Sequence, residues 1–161
     1  ADDILEGSVQ LIVLGKGEYY YENFFYHLAQ RYPNKMSALL VYNKDLSKKV
    51  YAGADMFLMP SKTEPCGLSQ MIASRYGAVP IVRETGGLYD SIRDCGWPDG
   101  GNGFTFAPYS AWEMLGAVRR AEAMYNERPD QWRALRHTAM TYDFTWNRSA
   151  KQYIELYGEL N

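Results

Sequence analysis

Short apolar runs alternate with amphipathic segments through much of the chain, and this alternation limits the fold more than any other feature. The apolar runs are residues 9–14, 36–42, 55–59 and 79–82, and the amphipathic segments between them are 20–32, 45–52 and 65–76. Short buried strands separated by helices are typical of a parallel sheet whose two faces are both covered. The sequence therefore predicts an α/β fold: a Rossmann-like parallel sheet with helices on both faces.

The pattern changes after Pro108, where the chain is predicted to become entirely helical. Ser110 is placed to cap a helix that runs to about Asn126, and two further helices are expected at 129–140 and 147–160. We expect one domain over residues 1–161, with an α/β part at 1–107 and a helical part at 108–161. The aromatic-rich residues 142–157 either pack into the core or leave an apolar face exposed.

Composition excludes several classes of function. The 161 residues carry a net charge of −2 with acidic and basic residues mixed, so no basic surface is expected to hold nucleic acid or an anionic membrane. No apolar run approaches the ~20 residues that a membrane helix needs, and the acidic first residues do not resemble a signal peptide. Two cysteines make no disulfide scaffold, and their spacing with histidine matches no metal site. We therefore expect a cytoplasmic protein with no metal and no cofactor.

The segment from Pro60 to Gln70 is the strongest candidate for a functional site. Pro65 is predicted to open a helix with Gly67 in its first turn, where unpaired N–H groups favour phosphate. Glu64 lies at the edge of this start, and its carboxylate suits the hydroxyl groups of a sugar attached to such a phosphate. These residues predict a site for a sugar phosphate or a nucleotide sugar.

Loops at the ends of four predicted strands are expected to converge at this site. In open parallel sheets, ligands bind beyond the carboxyl ends of the strands. The four loops carry Gly15 and Gly17, Tyr42, Glu64, and the pair Gly86 and Gly87. Taken alone, Gly86 and Gly87 would indicate a tight turn and Tyr42 a packing residue, so the case depends on their combination.

The same segments resemble one known family: the C-terminal half of bacterial glycogen synthases and plant starch synthases, which are retaining glucosyltransferases of the GT-B fold. The resemblance covers nearly the whole chain. It is densest at Gly53-Ala54-Asp55, Pro60-Ser61, Glu64-Pro65-Cys66-Gly67-Leu68, Gln70, Tyr76-Gly77, Pro80-Ile81-Val82-Arg83 and Thr85-Gly86-Gly87-Leu88.

The resemblance implies roles for individual residues. Glu64 matches the family glutamate that binds the glucose hydroxyls of the sugar donor, and it is the candidate catalytic residue. Tyr42 matches an aromatic residue that stacks on adenine. The remaining donor-binding positions implied by the resemblance are Cys66, Gly67, Leu68, Ser69, Gly15, Gly17, Thr85, Gly86 and Gly87.

The resemblance also implies what the parent enzyme does. It would transfer glucose from ADP-glucose to the nonreducing end of an α-1,4-glucan with retention of configuration. The family begins this domain with a strand and a loop whose Arg and Lys grip the donor phosphates, and it carries the acceptor site in a separate N-terminal domain. Neither segment is found here, so we expect a fragment of a bacterial cytoplasmic enzyme that is inactive by itself.

Two alternatives of other kinds remain open from the sequence. The chain could belong to another retaining GT-B glycosyltransferase that uses a UDP- or GDP-linked sugar. It could also be a noncatalytic domain that binds glucan or nucleotide, although the intact Glu64 and Gly67 argue against a decayed site.

Overall fold

The predicted alternation of strands and helices is confirmed in a computed structural model, which describes residues 1–98 and 100–159. Within these residues the chain forms five strands: β1 Leu11–Leu14, β2 Met36–Leu39, β3 Met56–Met59, β4 Val79–Arg83 and β5 Phe104–Phe106. The helices are α1 Asp2–Leu5, α2 Tyr19–Arg31, α3 Lys44–Gly53, α4 Ser69–Tyr76, α5 Gly87–Ser91, α6 Ala111–Glu127, α7 Pro129–Thr141 and α8 Trp146–Glu159. Three short elements, α1, α5 and β5, were not predicted because so few residues show no periodic pattern.

Local chemistry explains where several helices begin and end. The side-chain oxygen of Asn43 accepts hydrogen bonds from the N–H groups of Asp45 and Leu46, which caps α3. Gly77 ends α4 in a left-handed conformation with φ +87°. Ser110 does precede α6 as predicted, but its side chain makes no capping hydrogen bond.

All strand pairs are parallel, as predicted, but they form two separate sheets rather than one. In the first sheet β1 pairs with β2, with Leu11 opposite Met36. In the second sheet the order is β3-β4-β5, and Ile81 lies opposite Phe104. Within the described residues, β1 and β3 each have one edge without a strand partner. Ile12, whose side chain lies on the opposite face of β1 from Leu11 and Val13, is 48% exposed.

The short helix α1 joins the two sheets. Ile4 packs with residues of β4, β5, α6 and α7, whereas its neighbour Leu5 packs with Leu28 and Met36 beside the first sheet. The ammonium group of Lys35 donates hydrogen bonds to the carbonyl oxygens of Leu5 at 2.8 Å and Gly7 at 2.6 Å. These contacts hold the β1–β2 sheet against the rest of the molecule.

The helices after β5 share the core of the second sheet. Leu115 of α6 and Trp132 of α7 are buried in one cluster with Val79 and Phe104. In contrast, none of the described residues of α8 is buried, and Ile154 is 69% exposed. For α8 the structure therefore supports the second of the two interpretations, an exposed apolar face, whereas Phe144, which precedes α8, packs against the buried cluster of Val82, Leu88 and Ile92.

The lengths and compositions of the helices bear on whether any of them could span a membrane. Among residues 1–98 and 100–159, each helix is too short or too polar to cross a bilayer.

Candidate functional site

Two strand-end loops meet in direct backbone contact, and they form the centre of the candidate site. The first is the Glu64 loop, residues 60–68, which follows β3; the second is the glycine turn, residues 84–87, which follows β4. The N–H group of Gly87 donates a hydrogen bond to the carbonyl oxygen of Glu64 at 3.1 Å. The predicted convergence of these two loops is confirmed.

The glycine turn needs both glycines because the two backbones approach so closely. A Cβ atom at Gly86 would lie 2.2 Å from the carbonyl oxygen of Glu64, and Gly86 also has a left-handed φ of +47°. A Cβ atom at Gly87 would lie 2.2 Å from the carbonyl oxygen of Cys66 and 2.4 Å from its Cα. Both positions therefore need glycine because a larger residue would collide with the backbone of the Glu64 loop.

The prediction that Pro65 opens a helix is wrong. Helix α4 begins at Ser69, and Leu68 occupies the preceding capping position without a side-chain hydrogen bond. Gly67 has a φ of +73°, which no α-helix can accommodate, so Pro65 and Gly67 remain in the loop. The free N–H groups at the start of α4 consequently belong to Ser69 and the residues after it.

The loop nevertheless offers N–H groups of its own just before the helix. Gly67 has a left-handed φ and Leu68 a right-handed conformation with φ −113° and ψ −26°. Successive residues of opposite hand turn their N–H groups into a shallow concavity that binds anions. In the described part of the chain, neither of these N–H groups donates a hydrogen bond. They therefore add two unpaired N–H donors beside the start of α4.

Two side chains, one from β4 and one from α4, hold the Glu64 loop through its carbonyl groups. At its start, the Arg83 guanidinium donates to the carbonyl oxygens of Ser61 at 3.4 Å and Lys62 at 2.9 Å. At its end, the Gln70 amide donates to the carbonyl oxygens of Cys66 at 3.3 Å and Gly67 at 2.9 Å. The loop is thus fixed without using its outward N–H groups or the Glu64 carboxylate.

Gln70 belongs to a buried chain of polar contacts. Its side chain is fully buried, and its amide nitrogen also donates to the Ser91 hydroxyl oxygen at 3.1 Å. That hydroxyl donates to the carbonyl oxygen of Gly87 at 2.6 Å. Asn102 continues the chain by donating to the carbonyl oxygen of Ser91 and accepting from the N–H of Arg93. The Glu64 loop and the glycine turn are therefore linked through side chains as well as backbone.

The other predicted site residues lie apart from this contact or on its surface. The Tyr42 side chain is 84% exposed, and a Cβ atom at Gly15 or Gly17 would meet nothing within 4 Å. The N–H group of Gly17 donates a hydrogen bond to the Glu22 carboxylate at 3.0 Å. The proposed roles of Tyr42, Gly15 and Gly17 stay predictions. Among the remaining predicted residues, Cys66 and Leu68 are exposed, whereas Glu64, Ser69 and Thr85 are partly buried.

A groove of about 580 Å³ borders the site, and Asp94, which forms an ion pair with Arg120, is one of the residues that line it. Both carboxylate oxygens of Asp94 accept hydrogen bonds from Arg120, at 3.0 and 2.9 Å. Burial opposes ionisation of this carboxyl, but the hydrogen bonds from Arg120 and from the N–H groups of Thr105 and Gly96 outweigh it. The pKa of Asp94 therefore lies below its usual range.

Sequence reasoning assigned no role to Arg83, Gln70, Ser91 or Asn102. Gln70 is one of the residues that carry the family resemblance. Its place near the start of a predicted helix, between Leu68 and the apolar residues Met71 and Ile72, could have indicated a buried polar side chain. A polar residue that interrupts an apolar stretch must find partners when it is buried. For metals, the described residues hold no group of three or more His, Cys, Asp or Glu side chains that could bind an ion.

Comparison with known proteins identifies the family. Residues 2–135 match the family described as "Glycosyl transferases group 1". This match includes most of the chain, together with the Glu64 loop and the glycine turn. The chain therefore belongs to the group 1 glycosyl transferases.

Curated relatives and a solved structure narrow the similarity further. The chain is 48% identical over 160 residues to glycogen synthase of Desulfitobacterium hafniense, covering 99% of this chain and 34% of that protein. It is 50% identical over 157 residues to glycogen synthase of Clostridium acetobutylicum, covering 97% and 33%. The catalytic domain of starch synthase IV from Arabidopsis thaliana, solved with ADP and acarbose, superposes with a TM-score of 0.81 at 38% identity, covering 93% of this chain and 32% of that one. The chain thus spans about a third of the length of the curated relatives it matches.

Proposed function

We propose that this chain is the sugar-donor-binding domain of a glycogen synthase that uses ADP-glucose and elongates an α-1,4-glucan. The observation that carries the proposal is the identity of 48–50% to curated glycogen synthases across almost the entire chain. The ADP bound to the similar starch synthase domain supports adenine as the base. The identity favours this function over a transferase that uses a UDP- or GDP-linked sugar.

In the proposed site, the diphosphate of ADP-glucose lies over the N–H groups of Gly67 and Leu68 and the first turn of α4. The negative charge on departing ADP would be met there by N–H dipoles that are already in place, which lowers the barrier for loss of the leaving group. Ser69 directly follows these amides in the chain, and Thr85 lies in the glycine turn that contacts the Glu64 loop, so both are proposed to add hydroxyl donors. Cys66 would line the glucosyl side of the site.

Glu64 is proposed as the catalytic residue that binds the glucosyl hydroxyls. Its carbonyl is held by Gly87, and its side chain makes no hydrogen bond within the described residues. A partly buried carboxylate without an internal partner is available to accept hydrogen bonds from a sugar. Gly86 and Gly87 would contribute by seating the loop that carries it.

The domain is proposed to be completed by an upstream strand between β1 and β3. Each of these parallel strands has one edge without a strand partner among the described residues. Unpaired edges in the middle of a parallel fold are unusual because such sheets are normally buried. This strand would bring the phosphate-binding Arg and Lys of the family, and a separate N-terminal domain would bring the glucan. We therefore expect no glucosyl transfer by residues 1–161 alone.

Thermal unfolding with nucleotides tests the proposal. The chain is heated with millimolar ADP, ADP-glucose, UDP or GDP. A ligand that binds the folded state raises the free energy of unfolding by RT ln(1 + [L]/Kd), and the melting temperature rises with it. We expect ADP and ADP-glucose to raise it more than UDP or GDP. An equal response to all three nucleoside diphosphates would contradict adenine selection.

Tyr42→Ala is expected to weaken ADP binding by about tenfold without changing the melting temperature of the free protein. The ring is proposed to stack on adenine, and a stacked base contributes roughly 1–3 kcal/mol. Because Tyr42 is 84% exposed, its removal costs the fold little. Isothermal titration with ADP measures the effect. The matched control is Tyr26→Ala, because Tyr26 is another exposed tyrosine, in the middle of α2, with no proposed role in the site. Equal affinities for ADP in the two variants would remove Tyr42 from the site.

A further inference from the structure

The buried side chain of Gln70 controls the direction of the N–H groups in the Glu64 loop. Its amide nitrogen lies within hydrogen-bond distance of the carbonyl oxygens of Cys66 and Gly67 and of the Ser91 hydroxyl oxygen. The first two contacts fix the two consecutive peptide groups that link Cys66 to Gly67 and Gly67 to Leu68.

Peptide geometry converts these contacts into a direction for each N–H group. In a trans peptide the C=O and N–H bonds point to opposite sides of the chain. With both carbonyl oxygens turned inward to Gln70, the N–H groups of Gly67 and Leu68 must point outward. Neither donates a hydrogen bond within the described residues. Both are therefore available to an anion.

The orientation of the Gln70 amide is itself unambiguous. Its oxygen, Oε1, is buried and accepts no hydrogen bond within the described residues. Turning the amide by half a rotation would place Oε1 against the two carbonyl oxygens of the loop, which repel it, and would leave only the Ser91 hydroxyl as a donor to it. Leaving a buried oxygen without a hydrogen bond is unfavourable. We attribute this cost to the three contacts that the amide nitrogen makes in this orientation.

Gly67 and Gln70 are also sterically coupled. A Cβ atom at Gly67 would lie 2.6 Å from Oε1 and 3.0 Å from the amide nitrogen of Gln70. Any other residue at this position would displace the amide from the loop carbonyls, besides being strained at a φ of +73°. The loop glycine and the buried glutamine thus work as one unit.

We propose that Gln70 is a positioning residue, which orients the N–H groups of Gly67 and Leu68 toward a ligand diphosphate through its contacts with the loop carbonyls and Ser91. The inference rests on the proposed function, because it takes the diphosphate of a nucleotide sugar as the ligand. Gln70 itself is fully buried and does not touch the ligand. Ser91 supports it by joining the amide to the carbonyl of Gly87.

The test is an NMR titration of the ¹⁵N-labelled chain with ADP, and separately with adenosine, up to tens of millimolar. In the wild-type chain, ADP is expected to move the Gly67 and Leu68 amide proton signals downfield, as hydrogen bonds to phosphate do. Gln70→Met keeps the length of the side chain but removes the amide. We expect it to weaken ADP binding at least tenfold and abolish these shifts, while adenosine binding changes less than twofold.

Two further variants keep the test decisive. Ser91→Ala removes the hydroxyl group that accepts a hydrogen bond from the Gln70 amide, and we expect it to weaken ADP binding about threefold. If Gln70→Met does not fold, Ser91→Ala tests the positioning role, and unchanged ADP binding in this variant would overturn it. Gln131→Met, at an exposed position of α7, is the matched control and should change neither ligand's affinity.

The outcomes separate the inference from the proposed function. If Gln70→Met folds with a lower melting temperature but binds ADP as the wild type does, Gln70 is merely structural and the inference is overturned. The same holds if wild-type ADP binding depends on Tyr42 but leaves the Gly67 and Leu68 amides unmoved. If the wild type binds no ADP at all, the proposed function is overturned and the inference with it.

Discussion

Gly87→Ala is expected to lower the free energy of unfolding by about 3 kcal/mol or more. The added Cβ would lie 2.2 Å from the carbonyl oxygen of Cys66 and 2.4 Å from its Cα, and both are backbone atoms that cannot rotate away. Overpacking of a rigid contact typically costs about 1–3 kcal/mol. In the variant, the hydrogen bond from the N–H group of residue 87 to the carbonyl oxygen of Glu64 would be strained as well. Urea unfolding followed by circular dichroism measures the loss. Since domains of this size have roughly 5–15 kcal/mol of stability, the effect is large.

The control for this substitution is Gly116→Ala. Gly116 is exposed within α6, and a Cβ atom there would meet nothing within 4 Å. Alanine in a helix interior is favoured over glycine by about 0.5–1 kcal/mol, so this variant should be more stable than the wild type. The same chemical change is therefore expected to have opposite signs at the two positions. A Gly87→Ala variant within 0.5 kcal/mol of the wild type would contradict the packing of the two loops.

Asp94→Asn is expected to lower the free energy of unfolding by about 2–3 kcal/mol at neutral pH. The side chain is 14% exposed and receives two hydrogen bonds from Arg120 and one each from the N–H groups of Thr105 and Gly96. An asparagine would turn an NH₂ group toward other donors and leave part of this set unpaired, which is costly for a side chain that is mostly buried. Urea unfolding at pH 7 measures the difference.

The pH dependence of this difference has a definite sign. The pKa of Asp94 is lowered in the folded state, so its stabilising contribution is complete above the unfolded value of about 3.9 and is lost as the pH falls through the folded pKa. The gap between the wild type and Asp94→Asn should be constant above about pH 5 and shrink below about pH 4.

Asp130→Asn provides the exposed counterpart. Asp130 pairs with Arg133 on α7, but both side chains are largely in solvent, at 87% and 72% exposure. Exposed pairs of this kind contribute about 0–1 kcal/mol, so the variant should differ little from the wild type at any pH. A gap for Asp94→Asn that widened with acid would contradict the assignment of a lowered pKa.

Much of the fold could be predicted because strand and helix patterns recur with different periods. The four apolar runs became β1 to β4, and the helices at 20–32 and 129–140 begin and end within a residue or so of the observed ones. The start of α4 could not be predicted from Pro65, because the decisive fact is the left-handed φ of Gly67, which depends on contact with Gln70. The division into two sheets was also missed, since hydrophobic periodicity does not reveal which strand edges lack a partner.

The main residues of the candidate site could be predicted from the sequence, but the contacts that hold them together could not. Glu64, Gly86 and Gly87 were singled out, and the structure brings their loops together. The reason for the glycines was different from the expected one, because their missing Cβ atoms make room for the Glu64 loop rather than for a ligand alone. Gln70 and Ser91 were not found because their contacts join residues 21 positions apart, which no local pattern displays.

A chimeric enzyme tests the proposed function most directly. Residues 1–161 replace the matching third of glycogen synthase from Clostridium acetobutylicum, to which they are 50% identical, so that the upstream strand and the N-terminal domain are restored. The measurement is transfer of labelled glucose from ADP-glucose to glycogen, with UDP-glucose and a Glu64→Ala chimera as controls. We predict transfer from ADP-glucose that falls by at least a hundredfold with Glu64→Ala, since the loss of one transition-state contact costs about 2.7–4 kcal/mol. A folded chimera that transfers no glucose, or that uses UDP-glucose equally well, would contradict the proposed function.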